Sequence, residues 1–537
     1  MLGRPREGLG RIEAAISGFA VPVGTPWAPF CNVIGVLMSK DVYNPRVAVD
    51  GGTLEGRIRD GVASFLGVPY AAPPFGPNRL REPQPVIPWR GVRDAGRMGP
   101  TVPKEDYPPV FRQLFHEVEI EGEECLNLNV WTPAPGASGL PVLVWIHGGG
   151  FTNGSNSVAA YDGSAFARSG VVCVAINYRL LAEGFLFLGD GVPNPGLQDQ
   201  VAALEWVRDN IAAFGGDPGN VTVAGESAGA MSIAALLAMP SAAGLFARAV
   251  TQSGAATATL TSEQGLAVGS LLAETLEVPF TRDAIAAVPP GRLVRAASEV
   301  IAAIQSDLDP ARWGSLAASK LPFAPVVDGT VLPLHPLDAA RAGTSAPVPL
   351  LTGWNRDEGR LFLVATHTLD AIDEAALLGA AGALGLGPEA VEVYRAARPG
   401  ATPGDLLAAV STDWTYAVPA LRYAEARIAG GAGPTWVYRF DHLEPTDNHG
   451  FGTCHATEVP FIFRTEGHDS VRALIGDQPS PTAAATAHET WVSFAREGAP
   501  GWEPYDTTRR PTALIAEKVR VVDDPAPDER RAWDGIR

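Results

Sequence analysis

The chain has 537 residues, 46% of them hydrophobic and 19% charged, the balance of a soluble globular protein with a large core. Its net charge of −18 argues against nucleic acid and anionic membranes as partners, and no apolar run reaches transmembrane length. Its 59 glycines and 47 prolines imply many turns and ordered loops rather than a repeat or a fibre.

Residues 1–44 read as an N-terminal extension. Arg4, Arg6 and Arg11 would suit a secretory leader, but Glu13, Pro22, Pro26 and Pro29 interrupt any apolar segment. An ill-packed arm, or an upstream extension ahead of a start at Met38, is the expectation. The four cysteines, Cys31, Cys125, Cys173 and Cys454, are widely separated and form no C-x-x-C. Free thiols and a cytoplasmic location follow, with secretion as the alternative.

From Val47 the pattern becomes regular. Thr53–Gly56 and Gly61–Val68 read as two antiparallel strands around a turn. Leu126–Trp131 alternates apolar and polar residues, as an outer strand does. Pro141–Ile146 and Val171–Asn177 are nearly all apolar, as buried parallel strands are. Leu197, Val201, Leu204, Val207, Ile211 and Phe214 recur at helical spacing, and Gly215–Pro218 ends that helix. Val221–Ala224 returns as a strand and is followed by a helix from Ala228 that stops at Pro240. Strand, helix, strand, helix is a parallel wind. Residues 260–320 and 366–430 read as mostly helical. Val348–Gly353 and Trp436–Phe440 are further strands, and Ala483–Glu497 is a late helix.

Between the strand ending at Ala224 and the helix from Ala228 sits Gly225-Glu226-Ser227-Ala228-Gly229, a Gly-x-Ser-x-Gly with no room for a loop. A serine there must occupy a sharp strained turn, with its hydroxyl out of the sheet beside the positive end of a helix. The pentapeptide alone is expected by chance about 0.3 times in this composition, so other segments must support it. His147-Gly148-Gly149-Gly150-Phe151 does so. Three glycines after a buried strand can turn backbone N–H groups towards one point, where acyl transfer generates an oxyanion. Gly149 and Gly150 would supply two donors and Ala228 the third.

Together these segments resemble the type B carboxylesterases, the cholinesterase-like branch of the α/β-hydrolase fold. Matching stretches run from Phe65 to Phe463 and include Phe65–Ala71, Glu124–Val130, Asn177–Leu180, Asn194–Gln200, Phe214–Pro218 and Gln252–Gly254. The resemblance implies the remaining functional residues. The family's Gly-x-Asn-x-Asp-Glu-Gly segment matches Gly353–Gly359 and puts the acid at Glu358, with Asp357 the alternative. Its His-x-x-Glu-x-Pro-Phe segment matches His455–Phe461 and puts the base at His455, whereas His442 and His449 read as loop residues. His455 would take the proton of Ser227 and return it to the leaving alcohol, and Glu358 would fix the imidazole.

Neighbouring residues admit plainer roles. Glu226 is read either as tuning the local field or as a structural hydrogen-bonding group. Glu124 and Arg179 resemble a family ion pair, Asp199 reads as a loop brace, Ser253 as a supporting residue and Cys454 as packing. Cys125 has Val102 where the family carries its partner cysteine, so that bridge is not expected. Lys104–Glu123 is unlike a choline-binding loop, which argues against choline esters. His455 and Glu458 do not form H-E-x-x-H, so no metal and no cofactor is expected.

The reading is an α/β-hydrolase domain over 45–537, with a mostly parallel sheet, helices on both faces, and helical insertions at about 255–345 and 365–435 over Ser227. It would hydrolyse aryl or short- and medium-chain esters, as a monomer or homodimer. Phe111, Phe115, Phe151, Phe323, Trp354 and Phe362 are the candidate gorge walls. A carbamate or amide hydrolase with the same triad is the alternative, and a non-catalytic binding protein is the alternative of a different class.

Overall fold

The structure, a computed structural model, describes residues 44–307, 309–314 and 316–537. The expected N-terminal arm lies outside them. An eleven-stranded sheet organises the described chain. In chain order its strands are β1 (Arg57–Arg59), β2 (Val62–Pro69), β3 (Asn127–Thr132), β4 (Leu140–Ile146), β5 (Val172–Ile176), β6 (Gly216–Glu226), β7 (Arg248–Gln252), β8 (Leu350–Asn355), β9 (Thr435–Phe440), β10 (Pro511–Ile515) and β11 (Val519–Asp523). They lie side by side as β11-β10-β9-β8-β7-β6-β4-β5-β3-β2-β1. The run from β10 to β5 is parallel, and antiparallel strands close both ends. This is the α/β-hydrolase architecture.

Strand alternation explains why the central strands are apolar throughout. Val142, Val144 and Ile146 of β4 enter one core cluster, and Leu143 and Trp145 the other. A strand covered on both faces admits a polar side chain only where a hydrogen-bond partner meets it. Trp145 is fully buried, so truncating it to alanine would cost about 3–5 kcal/mol. Helix α1 (Pro195–Asn210) buries Leu197, Val201, Leu204 and Val207, and a short 3₁₀ turn extends it to Phe214. Helices Ser262–Leu276 and Pro290–Ser306 occupy the first expected insertion; Glu374–Ala383, Pro388–Ala397, Pro403–Thr412 and Val418–Ala429 occupy the second. Among the described residues no single helix is long and apolar enough to cross a membrane.

Two strand expectations need correction. Thr53–Glu55 does not pair with the strand at 62–69. It joins a separate three-stranded sheet with Arg46–Val49 and Val92–Asp94, while β2 pairs with Arg57–Arg59. Nor is β3 an outer strand: it lies between β2 and β5 and is buried along its whole length. Its asparagines tolerate this because each is hydrogen-bonded. Asn127 Nδ2 donates to Pro100 O at 2.7 Å, and Asn129 accepts from Gly67 N at 2.9 Å while donating to Asn156 O at 3.0 Å.

Candidate active site

The parallel strands deliver their C-terminal ends to one edge of the sheet, where open α/β sheets place their sites. In the register, Ile146 of β4 faces Gly225 of β6, and Glu226 faces Gln252 of β7. Ser227 follows β6 at once and precedes helix α2 (Ala228–Ala238). Its φ of 54° and ψ of −123° are a strained combination for a residue with a Cβ. The turn is held by Ser227 N donating to Gln252 O at 2.9 Å, and by Met231 N donating to Ser227 O at 2.9 Å. The flanking glycines are sterically required: a Cβ at Gly225 would lie 2.7 Å from Ile146 O, and one at Gly229 2.0 Å from the same oxygen.

The glycine turn after β4 lies against this elbow. A Cβ at Gly148 would come within 3.0 Å of Ser227 Cβ. Gly149, Gly150 and Phe151 all have positive φ, which curls the chain back on itself. Among the described residues no protein acceptor takes the amide N–H of Gly149, Gly150 or Ala228. His147 anchors the turn. Its ring stacks on Tyr178 at 4.6 Å, its Nδ1 donates to Gly148 O at 2.8 Å, and burial pushes its pKa down to about 4, so it stays neutral.

His455 reaches the same point from the segment after β9. Its Nδ1 donates to Glu358 Oε2 at 2.7 Å, and its Nε2 lies 3.1 Å from Glu226 Oε1. Ser227 Oγ makes no hydrogen bond among the described residues. Asp357, the alternative acid, faces away: it pairs with Arg356 at 2.9 Å and accepts from Thr453 N at 3.0 Å. Glu358 is fixed by Asn355 N, which donates to its Oε1 at 2.7 Å.

The electrostatics are lopsided. Burial disfavours the His455 imidazolium, but the Glu226, Glu358 and Glu458 carboxylates outweigh it and raise the pKa to about 9. Burial raises Glu226 to about 8, with His455 opposing and Glu458 and Glu358 adding to it. Glu458 is raised to about 7, chiefly by burial and by Glu358, although Asn355 Nδ2 and Gln252 Nε2 both donate to it. Trp491 Nε1 holds Gln252 in turn at 2.8 Å. These groups titrate as a coupled set rather than singly.

The candidate gorge residues separate into two groups. Phe362 is 43% exposed and lies 6.1 Å from the His455 ring, and Phe111 lies 6.3 Å from Phe362. Phe115 packs on Tyr107 at 5.5 Å in the same loop as Phe111. Three others do not line an open gorge. Phe151 is fully buried against Phe185, and Phe323 is buried in the core. Trp354 lines a separate polar cavity with Arg398, Asp413 and Arg439. Aromatic residue type gives no information about which face a side chain takes.

Sequence reasoning missed Tyr416, whose ring packs on His455 at 4.7 Å from a π-helical turn spanning Asp413–Ala417. No local signal marks it. Asn355 and Glu458 were visible as polar positions inside the two quoted motifs, but their mutual contact was not. The expected Glu124–Arg179 pair is not formed. Arg179 is bidentate to Asp199, which braces it, and Glu124 pairs at 2.6 Å with Arg93 on the strand Val92–Asp94. Cys125, Cys173 and Cys454 are free and buried, and Val102 and Cys125 line one small void. Burial raises the Cys454 thiol, which suits packing rather than nucleophilic chemistry.

The sequence profile of the carboxylesterase family matches residues 43–533. The para-nitrobenzyl esterase of Bacillus subtilis (strain 168) is 36% identical over 507 residues, covering 90% of this chain and 97% of that protein. The phenmedipham hydrolase of Pseudarthrobacter oxydans is 35% identical, covering 86% and 91%. A Geobacillus stearothermophilus carboxylesterase crystal structure at pH 6.2 superposes with a TM-score of 0.78 at 36% identity, covering 91% of this chain and 99% of that one.

Proposed function

The chain belongs to the carboxylesterase family and is a carboxylic ester hydrolase, and on that premise we propose that it works through Ser227, His455 and Glu358. Ser227 attacks the ester carbonyl while His455 Nε2 takes its proton. The amides of Gly149, Gly150 and Ala228 receive the oxyanion. His455 then protonates the leaving alcohol, and water repeats the cycle to release the acid. Glu358 holds the imidazole by its Nδ1–H throughout. The observation that carries this reading is the 2.7 Å His455–Glu358 bond beside a serine at φ 54°, ψ −123°.

Phe111, Phe362 and Tyr416 gather rings near the imidazole, and this supports aryl and short- or medium-chain acyl esters as substrates. The relative named for para-nitrobenzyl esters makes such an ester a natural benzyl-alcohol test. A cytoplasmic location suits three buried free thiols.

The test is hydrolysis of p-nitrophenyl acetate and butyrate by wild type and Ser227→Ala, with organophosphonate labelling of both. Loss of turnover in the variant, with a single phosphonate adduct on wild-type Ser227, is the expected result. Full turnover by a folded Ser227→Ala protein would sink the proposal. Matched ester and carbamate substrates then separate the two leaving-group preferences.

A further inference from the structure

The loop between Val102 and Val118 carries Phe111, yet its tightest buried contact is made with the glycine turn. Lys104 and Glu117 form an ion pair at 3.3 Å with side chains only 2% and 7% exposed. Lys104 Nζ also donates to Val102 O at 3.3 Å and to Val118 O at 3.2 Å, closing the base of the loop. Glu117 Oε2 has a different task. It accepts from Gly154 N at 3.0 Å and from Asn153 Nδ2 at 3.2 Å, both in the turn that follows Gly149 and Gly150. Asn153 Nδ2 further donates to Glu105 O at 2.7 Å, so one side chain grips both ends of the loop.

The glycine turn rests on those residues. Gly149 O accepts from Thr152 N at 3.0 Å, Asn153 N at 2.9 Å and Thr152 Oγ1 at 3.0 Å. A Cβ on Gly149 would lie 2.2 Å from Asn153 O, so the two backbone segments pack together with room for glycine only. A side chain that served only its own loop would take its partners there. Two of the four groups on Glu117, Asn153 Nδ2 and Gly154 N, belong to the glycine turn instead; Lys104 Nζ and Val118 N belong to its own loop.

We propose that Glu117 is a positioning residue that holds the Gly149–Gly150 amides in place by accepting from Asn153 and Gly154, and so locks the Phe111 loop and the oxyanion donors into one unit. The inference rests on the acyl-enzyme reading above, because it assigns the work to donors that matter only when an oxyanion forms.

The experiment uses the full chain in a Lys104→Met background, which avoids stranding a buried ammonium. Adding Glu117→Gln keeps an oxygen for Asn153 and Gly154; adding Glu117→Leu removes it. The readouts are kcat and KM for p-nitrophenyl acetate, and the affinity of an alkyl trifluoromethyl ketone, which mimics the tetrahedral adduct. The leucine variant is expected to lose about 10-fold in kcat and in ketone affinity, with KM within about twofold. The glutamine variant is expected to recover to within about threefold of wild type. Wild-type kcat and ketone affinity in the leucine variant, or an equal loss in both variants, overturns the proposal. If the leucine variant does not fold, Asn153→Ala in the wild-type chain decides: a drop of about threefold in kcat supports the assignment and no change overturns it. Ser227→Ala measured alongside keeps the two readings apart. An active Ser227→Ala sinks the acyl-enzyme mechanism; an inactive one with indifferent Glu117 variants sinks only this inference.

Discussion

Around Arg179 the buried charges come in matched pairs, whereas around His455 three carboxylates share one imidazole. Arg179 donates to both oxygens of Asp199 at 2.7 Å, and Asp199 also accepts from Arg179 N at 3.0 Å. Arg79 meets Glu183 at 2.6 Å and spends another donor on Ala286 O at 2.9 Å. Each ion there has a partner of opposite sign, and Asp199 is hydrogen-bonded through both oxygens, which is what makes burial of charge tolerable. The His455 cluster breaks that rule. Glu226 Oε1 is buried with no well-formed hydrogen bond, and Glu226 and Glu458 are both pushed far up from ordinary carboxylate values. The lesson is that matched charge locks a fold, while surplus negative charge around a histidine holds its proton and lets each carboxylate tune its pKa.

Four substitutions test this contrast. Glu358→Gln has the largest expected effect: it leaves the shape intact but removes the acceptor that fixes the tautomer, so kcat should fall by about 10⁴-fold with stability little changed. Steady-state kinetics and thermal melting of the same preparation check both halves. On the structural side, Asp199→Asn leaves Arg179 buried without a counter-charge. Chemical denaturation should show a loss of about 3–5 kcal/mol, with kcat per folded molecule preserved. A loss of kcat at unchanged stability would place Asp199 in the wrong class.

Glu226→Gln acts on the tuning alone. Ester hydrolysis needs neutral His455, so kcat/KM rises as pH climbs through the histidine pKa, which the carboxylates hold up. Removing one of them makes the imidazolium less favourable, so the acid limb of the kcat/KM profile should move to lower pH by about one unit. A limb that stays in place or moves up contradicts the geometry. The smallest effect is expected from Asp357→Asn, whose carboxylate binds Arg356 and Thr453 N and makes no bond to the imidazole. Its kcat should stay within about twofold of wild type, and a loss matching Glu358→Gln would reverse the choice of acid.

The elbow and the glycine turn were legible in the sequence because their steric demands select glycine at closely spaced positions. Gly225 and Gly229 are dictated by an approach to Ile146 O that admits no Cβ, and Gly149 and Gly150 by positive φ. Such demands are written into adjacent residues. The buried strands were equally plain, since β4 and β5 are covered on both faces and hold almost nothing polar. The misreadings share a cause. Leu126–Trp131 was read as an outer strand because buried asparagines look exposed until their partners, Pro100 and Asn156, are known. Phe151 and Phe323 were read as gorge walls because an aromatic ring is equally at home in a core.

The α/β-hydrolase fold and the family are legible in the chain, as are the segments proposed to carry nucleophile, acid and base. The groups that surround the imidazole emerge only from the folded molecule. Tyr416, Glu226 and Glu458 come from three separate elements, and Glu117 reaches the glycine turn from a loop 32 residues upstream of Gly149. Backbone shape is set by neighbours in the chain; electrostatic environment is set by neighbours in space, and folding alone brings those together.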